Sequence, residues 1–286
     1  MNDLSLATPF QHPQCLDAWY GAFTGPDDVE PLIAIICDAA TGEQVALLPL
    51  MALLDGAGPC SLNGNIVTTG DDFDAWRYTL ERTVRKELER SWRVLTRDPA
   101  AAFRIVTEKS DALGILSTME TQQGTRMQHL GLNFILNDET CAAFYRNLVG
   151  NGVASGYVVV SALSAGEEVV AALLGIRSGS RYVMVRISNA GAKWSNCSPG
   201  RLIIERSMAA LHKDGIREFD FSIVNYAYKR RFGVAPLPLV DITASLSWRG
   251  LPYALRERAA SELRRYPRLA PYVRRVLGRP PSREEN

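Results

Sequence analysis

Apolar residues first recur at helical spacing in Pro13–Phe23, where Leu16, Trp19, Tyr20 and Phe23 share one face. Two apolar runs follow, Leu32–Cys37 and Gln44–Leu53, on either side of the turn-like Asp38-Ala39-Ala40-Thr41-Gly42, a pattern that predicts a β-hairpin. Gly58–Thr69 is rich in Gly and Asn and reads as a strand or loop. Phe73–Ser91 predicts one long helix, because Trp76, Leu80, Val84 and Leu88 stay in step over a solvated Arg/Lys/Glu face. Trp92–Thr96 and Phe103–Thr107 read as short strands.

A similar grammar restarts near Asp138. Thr140–Val149 is a helix, Gly150-Asn151-Gly152 a break, and Tyr157–Ala162 a strand. Glu168–Arg177 and Arg181–Asn189 form a hairpin around Ser178-Gly179-Ser180. A helix starts at Pro199 with Ser198 as its N-cap, runs to His212 and ends at Gly215. Glu218–Ile223 is a strand, Tyr226–Phe232 a short helix and Asp241–Trp248 a last strand. Hairpins followed by a helix and a further strand argue for a mixed α/β sheet, and the absence of strict β-α-β alternation argues against a doubly wound one. The expected divisions are 1–137, 138–250 and a helical basic tail, 251–286, interrupted by Pro267 and Pro271 and ending in a disordered-looking stretch.

With 286 residues, 47% of them apolar, the chain can bury a sizeable core. Net charge is only +1, which gives no global drive toward nucleic acid and no reason to expect a DNA partner. The charge is uneven: Arg249–Asn286 holds ten arginines against four acids, a net of +6. RNA or an anionic membrane surface would meet that tail first, although a solvated face is the simpler account of it. The five cysteines are odd in number and scattered, and the three histidines lie far apart, so buried free thiols are expected and no metal site. The N-terminus has neither a basic nor an apolar signal region, and no apolar run approaches the ~20 residues of a membrane span. A soluble cytoplasmic protein is therefore expected.

Several chemistries lack their residues. Gly150-Asn-Gly152-Val-Ala-Ser-Gly156 follows a helix and precedes a strand, the reverse of a dinucleotide-binding loop, and its third glycine is one residue late. No Walker A loop, Gly-x-Ser-x-Gly elbow or His-Glu-x-x-His is present. His212, late in its helix, suits a contact with the negative helix end better than catalysis.

One junction does carry chemistry. The strand Tyr182–Arg186 and the polar loop Ser188–Cys197 feed Ser198-Pro199-Gly200-Arg201-Leu202 at a helix start. First-turn N–H groups there point outward with the positive helix end behind them, Gly200 removes a side chain that would keep a ligand off the backbone, and Arg201 adds a charge suited to phosphate. An ordinary capped helix would use the same Ser-Pro-Gly.

Around this junction the sequence resembles the CelD-type, or FemABX-like, branch of the GNAT acyltransferases. The matching pieces are Ser198-Pro199-Gly200-Arg201-Leu202-Ile203, then Gly215-Ile216-Arg217-Glu218-Phe219-Asp220-Phe221, then Tyr228-Lys229-Arg230-Arg231-Phe232-Gly233. Thr8-Pro9-Phe10-Gln11-His12-Pro13 before a Trp-containing helix extends the likeness loosely into the first half. The resemblance implies two GNAT-like units packed together, the C-terminal one keeping an acetyl-CoA or other acyl-CoA site, with no metal. It implies that Ser198, Gly200, Arg201 and Leu202 hold the pyrophosphate, and that the strand bearing Val185 and Ile187 pairs with the pantetheine arm. The implied reaction is acyl transfer to an amine or hydroxyl of a small molecule, saccharide or envelope precursor.

The chain departs from the family where relatives carry Gly-Asp-Glu, having Val224, Asn225 and Tyr226 instead. Asn225 can orient an acceptor but cannot take a proton, so the base lies elsewhere, the acceptor differs, or catalysis is weakened or lost. Asp220 alternates with Phe219 and Phe221 and either faces the cleft or serves as a structural cap or ion pair. Tyr228 can protonate a leaving thiolate or simply pack. Lys229 can meet phosphate or an acceptor carboxylate, or pair with Asp220. Ser61, Asn63 and Asn65 form a polar island that lines an acceptor pocket or, more simply, a turn. Two other functions compete with acyl-CoA chemistry: aminoacyl transfer from charged tRNA, and a non-catalytic binding role on the same fold.

Overall fold

The computed structural model describes residues 9–23, 29–37, 44–53, 64–132, 134–223 and 226–237, with 29–37 and 44–53 as backbone only. In chain order the elements are α1 (Pro13–Phe23), β1 (Val29–Cys37), β2 (Gln44–Leu53), β3 (Gly64–Thr68), α2 (Phe73–Thr79), α3 (Arg82–Leu95), β4 (Ala101–Val106) and α4 (Lys109–His129). They continue with α5 (Glu139–Gly152), β5 (Val158–Ala165), β6 (Glu168–Ser178), β7 (Arg181–Asn189), α6 (Pro199–Lys213), β8 (Glu218–Asp220), α7 (Ala227–Arg230) and β9 (Ala235–Leu237). Strands β1 and β2 pair with each other, where a hairpin was expected. The other seven form one mixed sheet in the order β4-β5-β6-β7-β8-β3-β9. Among the described strands of this sheet only β7 and β8 run parallel, and the other neighbouring pairs are antiparallel.

Each face of the sheet carries its own core. On one side Trp76 of α2, Val84, Leu88 and Leu95 of α3, and Leu202, Ile203 and Met208 of α6 pack against Tyr182 and Phe219. On the other, Cys15 and Ala18 of α1, Ile115, Leu116 and Met119 of α4, and Phe144 and Leu148 of α5 pack against Val158, Val160 and Ile176. The central strands are apolar on both faces, as a helix-covered sheet requires.

Three expectations change. Phe73–Ser91 is two helices, because Leu80 and Glu81 turn extended (ψ 151° and 139°) between α2 and α3. Trp92–Thr96 is not a strand: buried Leu88, Ser91 and Leu95 keep the helical spacing and carry α3 through to Leu95. The helix at 140–149 runs on through Gly150-Asn151-Gly152. A fourth finding concerns the boundary expected at residue 138. One sheet spans it, since β4 pairs with β5 from Ala101↔Ala165 to Val106↔Val160, and β3 lies between β8 and β9. The expected strand Asp241–Trp248, the tail 251–286, and Ser61, Asn63, Val224 and Asn225 lie outside the described residues.

Candidate active site

The parallel pair β7–β8 is short. Arg181, Tyr182 and Val183 stand opposite Glu218, Phe219 and Asp220, and β8 then stops while β7 continues to Asn189. From Met184 onward the β8 side of β7 has no strand beside it among the described residues. On the β6 side, pairing passes from Leu174↔Arg186 to Gly175↔Met184, so Val185 has no opposite number. This β-bulge breaks the in-out alternation. Val185 packs into the α4–α5 core, Arg186 beside it reaches α4 as well, and Ile187 returns to the α6 face. Gly175 faces the fully buried Tyr182, and a Cβ there would lie 2.3 Å from the ring, so no other residue fits.

Helix α6 begins beside this open stretch. Ser198 does not cap it with its side chain as expected; it sits in the left-handed region (φ 45°, ψ 56°), and its Oγ accepts from Arg201 Nη2 at 2.8 Å. The Arg201 and Leu202 N–H groups turn back to Ser198 O at 3.0 and 3.1 Å. Pro199 has no N–H, and the Gly200 N–H, one of the first-turn donors with no acceptor inside the helix, has no partner among the described residues. A Cβ on Gly200 would make only ordinary contacts, 3.7 Å to Asn189 Nδ2 and 3.9 Å to Ile187 Cδ1, and its φ is not positive. Nothing within the described protein demands glycine here, unlike at Gly175. Leu202 is fully buried, so its side chain serves the core. Arg201 is held by Glu87 of α3.

The loop after β8 begins where the parallel pairing with β7 ends. Asp220 pairs with Arg181 Nη2 at 2.6 Å, and its Oδ1 accepts from the Ser222 N–H at 2.7 Å. Ser222 takes φ 62°, a left-handed turn that the carboxylate braces. Lys229 is buried and donates to Ile223 O at 2.6 Å and Ser222 O at 3.3 Å, which holds the loop leading to Asn225. Burial pulls its pKa down to about 8, against the opposing pull of Asp220. Lys229 therefore meets carbonyls rather than pairing directly with Asp220. Asn65 of β3 adds a donor to Ser222 O at 2.8 Å, so this member of the polar island ties β3 to the loop. Tyr228 is half-buried against the α6-side core, and burial raises its pKa while Arg126 of α4 opposes that.

A polar cluster on α4 went unpredicted. Gln123 Nε2 donates to Ile187 O at 2.8 Å, and Gln122 bridges Val169 O and Ser188 Oγ at 2.7 Å each. The buried Arg186 donates to Gln123 Oε1 at 3.1 Å from Nε, and its guanidinium lies 4.6 Å over the Tyr145 ring. Burial lowers the Arg186 pKa and raises that of Tyr145. The signal is present in the sequence: Ala112, Ile115, Leu116 and Met119 form a stripe that Gln122 and Gln123 extend at the same helical spacing. His212, by contrast, lies outside this region, 2.9 Å from Gly70 O.

A sequence model of the "Acetyltransferase (GNAT) domain" family matches residues 82–230, more than half of the chain. The chain belongs to the GNAT acetyltransferase family. The match takes in the bulged strand, the α6 start and the loop after β8, so the geometry above is that of its GNAT domain. No curated protein matches the chain. Among solved structures, FemX is similar with a TM-score of 0.49 at 9% identity, over 62% of this GNAT chain and 59% of FemX. The C-terminal domain of a candidate lysylphosphatidylglycerol synthetase from Agrobacterium fabrum gives 0.43 at 15%, over 62% and 60%. A conserved protein of unknown function from Bacteroides thetaiotaomicron gives 0.44 at 8%, over 76% and 83%. The match thus spans about three fifths of the first two chains. No group of His, Cys, Asp or Glu able to hold a metal occurs among the described residues, and no described helix is long and apolar enough to cross a membrane.

Proposed function

We propose that this GNAT protein uses acyl-CoA as its acyl donor, belongs to the CelD-type or FemABX-like branch, and acylates an amine or hydroxyl of a small molecule, saccharide or envelope precursor. The observation that carries the donor assignment is Gly200: a glycine that nothing among the described residues requires, with an N–H unpartnered among them, at the start of α6 beside the open stretch of β7. A ligand approaching that backbone closely is the reason to exclude a side chain.

Bound there, acyl-CoA supplies an acyl group already activated as a thioester. The protein's part is positioning and proton transfer. The Gly200 N–H and the positive end of α6 would hold the diphosphate, with Ser198 and Arg201 at its rim. Backbone groups of β7 beyond Met184 would lie along the pantetheine arm, with Val185 at the bulge setting their direction. Tyr228, kept protonated by its burial, is suited to return a proton to the departing thiolate. Asn225 would orient the acceptor; shortly before it in the chain, Ser222 and Ile223 are braced by Asp220, Asn65 and Lys229.

Thermal shift tests the donor. Acetyl-CoA or a longer acyl-CoA should raise the melting temperature, whereas retention of charged tRNA without any CoA effect would favour aminoacyl transfer instead. Once an acceptor is found by thiol release, Asn225→Ala should lower kcat/KM by roughly tenfold, the scale of one lost neutral hydrogen bond. Asn225→Asp should retain or raise turnover, most visibly above a pH of about 4, where an ordinary aspartate is ionised. Two variants indistinguishable from the parent in kcat and KM would remove Asn225 from the mechanism.

A further inference from the structure

Glu87 of α3 has an unusual environment for a half-buried carboxylate. Arg201 of α6 grips it from two nitrogens, Nη1 to Oε2 at 2.6 Å and Nη2 to Oε1 at 3.3 Å. Arg231, just past α7, donates to the same Oε2 at 2.6 Å. Three separate elements thus meet at one carboxylate beside the first turn of α6. Among the described residues neither arginine pairs with any other acid. Glu87 balances only one of the two guanidinium charges, and the positive end of α6 adds about half a charge more. The cluster therefore holds an excess of roughly +1.5 at the place where Gly200 leaves backbone open. Its stabilising value is small, because the Glu87 side chain is 41% exposed and the Arg231 side chain 48% exposed. A dianion with several oxygens fits two converging arginines better than a carboxylate does.

We propose that Arg201 and Arg231 form a two-arginine clamp for a phosphate group of the acyl-CoA, and that Glu87 is the internal anion this phosphate displaces. The inference rests on the acyl-CoA reading above and adds to it a second phosphate ligand and a competitor. The competitor is charged at neutral pH, since its hydrogen bond with Arg201 holds the Glu87 carboxyl below the usual range.

Titration calorimetry on the full chain tests it with CoA and 3′-dephospho-CoA. Glu87→Gln should bind CoA about three- to tenfold more tightly than the parent, and Glu87→Ser should do likewise, as removal of a competing charge requires. Arg231→Gln should bind about tenfold more weakly, and adding it to Glu87→Gln should erase most of the gain. A gain that persists with 3′-dephospho-CoA assigns the clamp to the diphosphate, and one confined to CoA assigns it to the 3′-phosphate. If the parent binds CoA but both Glu87 variants bind it no better, the clamp is wrong and the donor assignment stands. If the parent binds neither nucleotide, both fall together.

Discussion

Gly200→Val is expected to fold like the parent and to lose the rise in melting temperature that acyl-CoA brings. The added Cβ meets only ordinary contacts, 3.7 Å from Asn189 Nδ2 and 3.9 Å from Ile187 Cδ1. Valine is no worse than glycine as a helix residue, so the unliganded protein should melt within a few degrees of the parent. The branched side chain would stand over the first-turn N–H that is unpartnered among the described residues and block a phosphate from it. A hydrogen bond to a charged group is worth about 1.5–3 kcal/mol, so affinity should fall by ten- to a hundredfold or more. Differential scanning fluorimetry with and without acetyl-CoA reads both halves of the expectation. A folded Gly200→Val protein with an undiminished acyl-CoA shift would falsify the assignment of this helix start to the donor.

The second large effect belongs to Lys229. Its pKa is about 8 in the folded protein, because burial disfavours the ammonium. In the unfolded chain an ordinary lysine titrates near 10.4. Between those two values the unfolded chain holds a proton that the folded chain has released, so this group's contribution to stability rises with pH across that window. Below about pH 8 both states are charged and the full cost of the buried charge applies. The gap between about 8 and 10.4 corresponds to ~3 kcal/mol. The parent should therefore gain up to ~3 kcal/mol over Lys229→Met between pH 7 and pH 10, read by urea unfolding at each pH. Using the difference from the variant cancels other groups that titrate in the same range. Turnover should fall in Lys229→Met as well, since the Ile223 carbonyl it holds leads directly to Asn225. A stability difference that stays flat from pH 7 to pH 10 would show that Lys229 is not buried as a strained cation.

The hairpin β6–β7, helix α6 and the Gly215 turn were legible because local rules and tertiary needs agree there. Continuous apolar runs either side of a Ser-Gly-Ser turn, Pro at the first helical position and Gly at the end all specify the elements the sheet uses. The α2–α3 break was not legible, because Trp76, Leu80, Val84 and Leu88 keep helical spacing across it and pack into one core regardless. Helix α4 was missed for a structural reason. Its buried stripe begins with Ala112, Ile115, Leu116 and Met119 but continues with Gln122 and Gln123, whose amides hold β6 and β7. Polar residues that serve the sheet therefore weaken the apolar pattern by which such a helix is recognised.

The sequence by itself determined the mixed α/β class, the strand–loop–helix junction at Ser198–Leu202 and the likeness to GNAT enzymes, because each rests on residues close together in the chain. Only the tertiary structure decided what those residues meet. Arg201 found Glu87, which lies 114 positions away, and Arg231 found the same carboxylate from 144 positions away. Asp220 found Arg181 rather than Lys229, and Lys229 turned to the carbonyls of its own loop. The bulge at Val185, which sends Arg186 to α4, exists only as a mismatch between two paired strands. Pairings of this kind depend on register and on the packing of distant elements, which no local pattern of polar and apolar residues encodes.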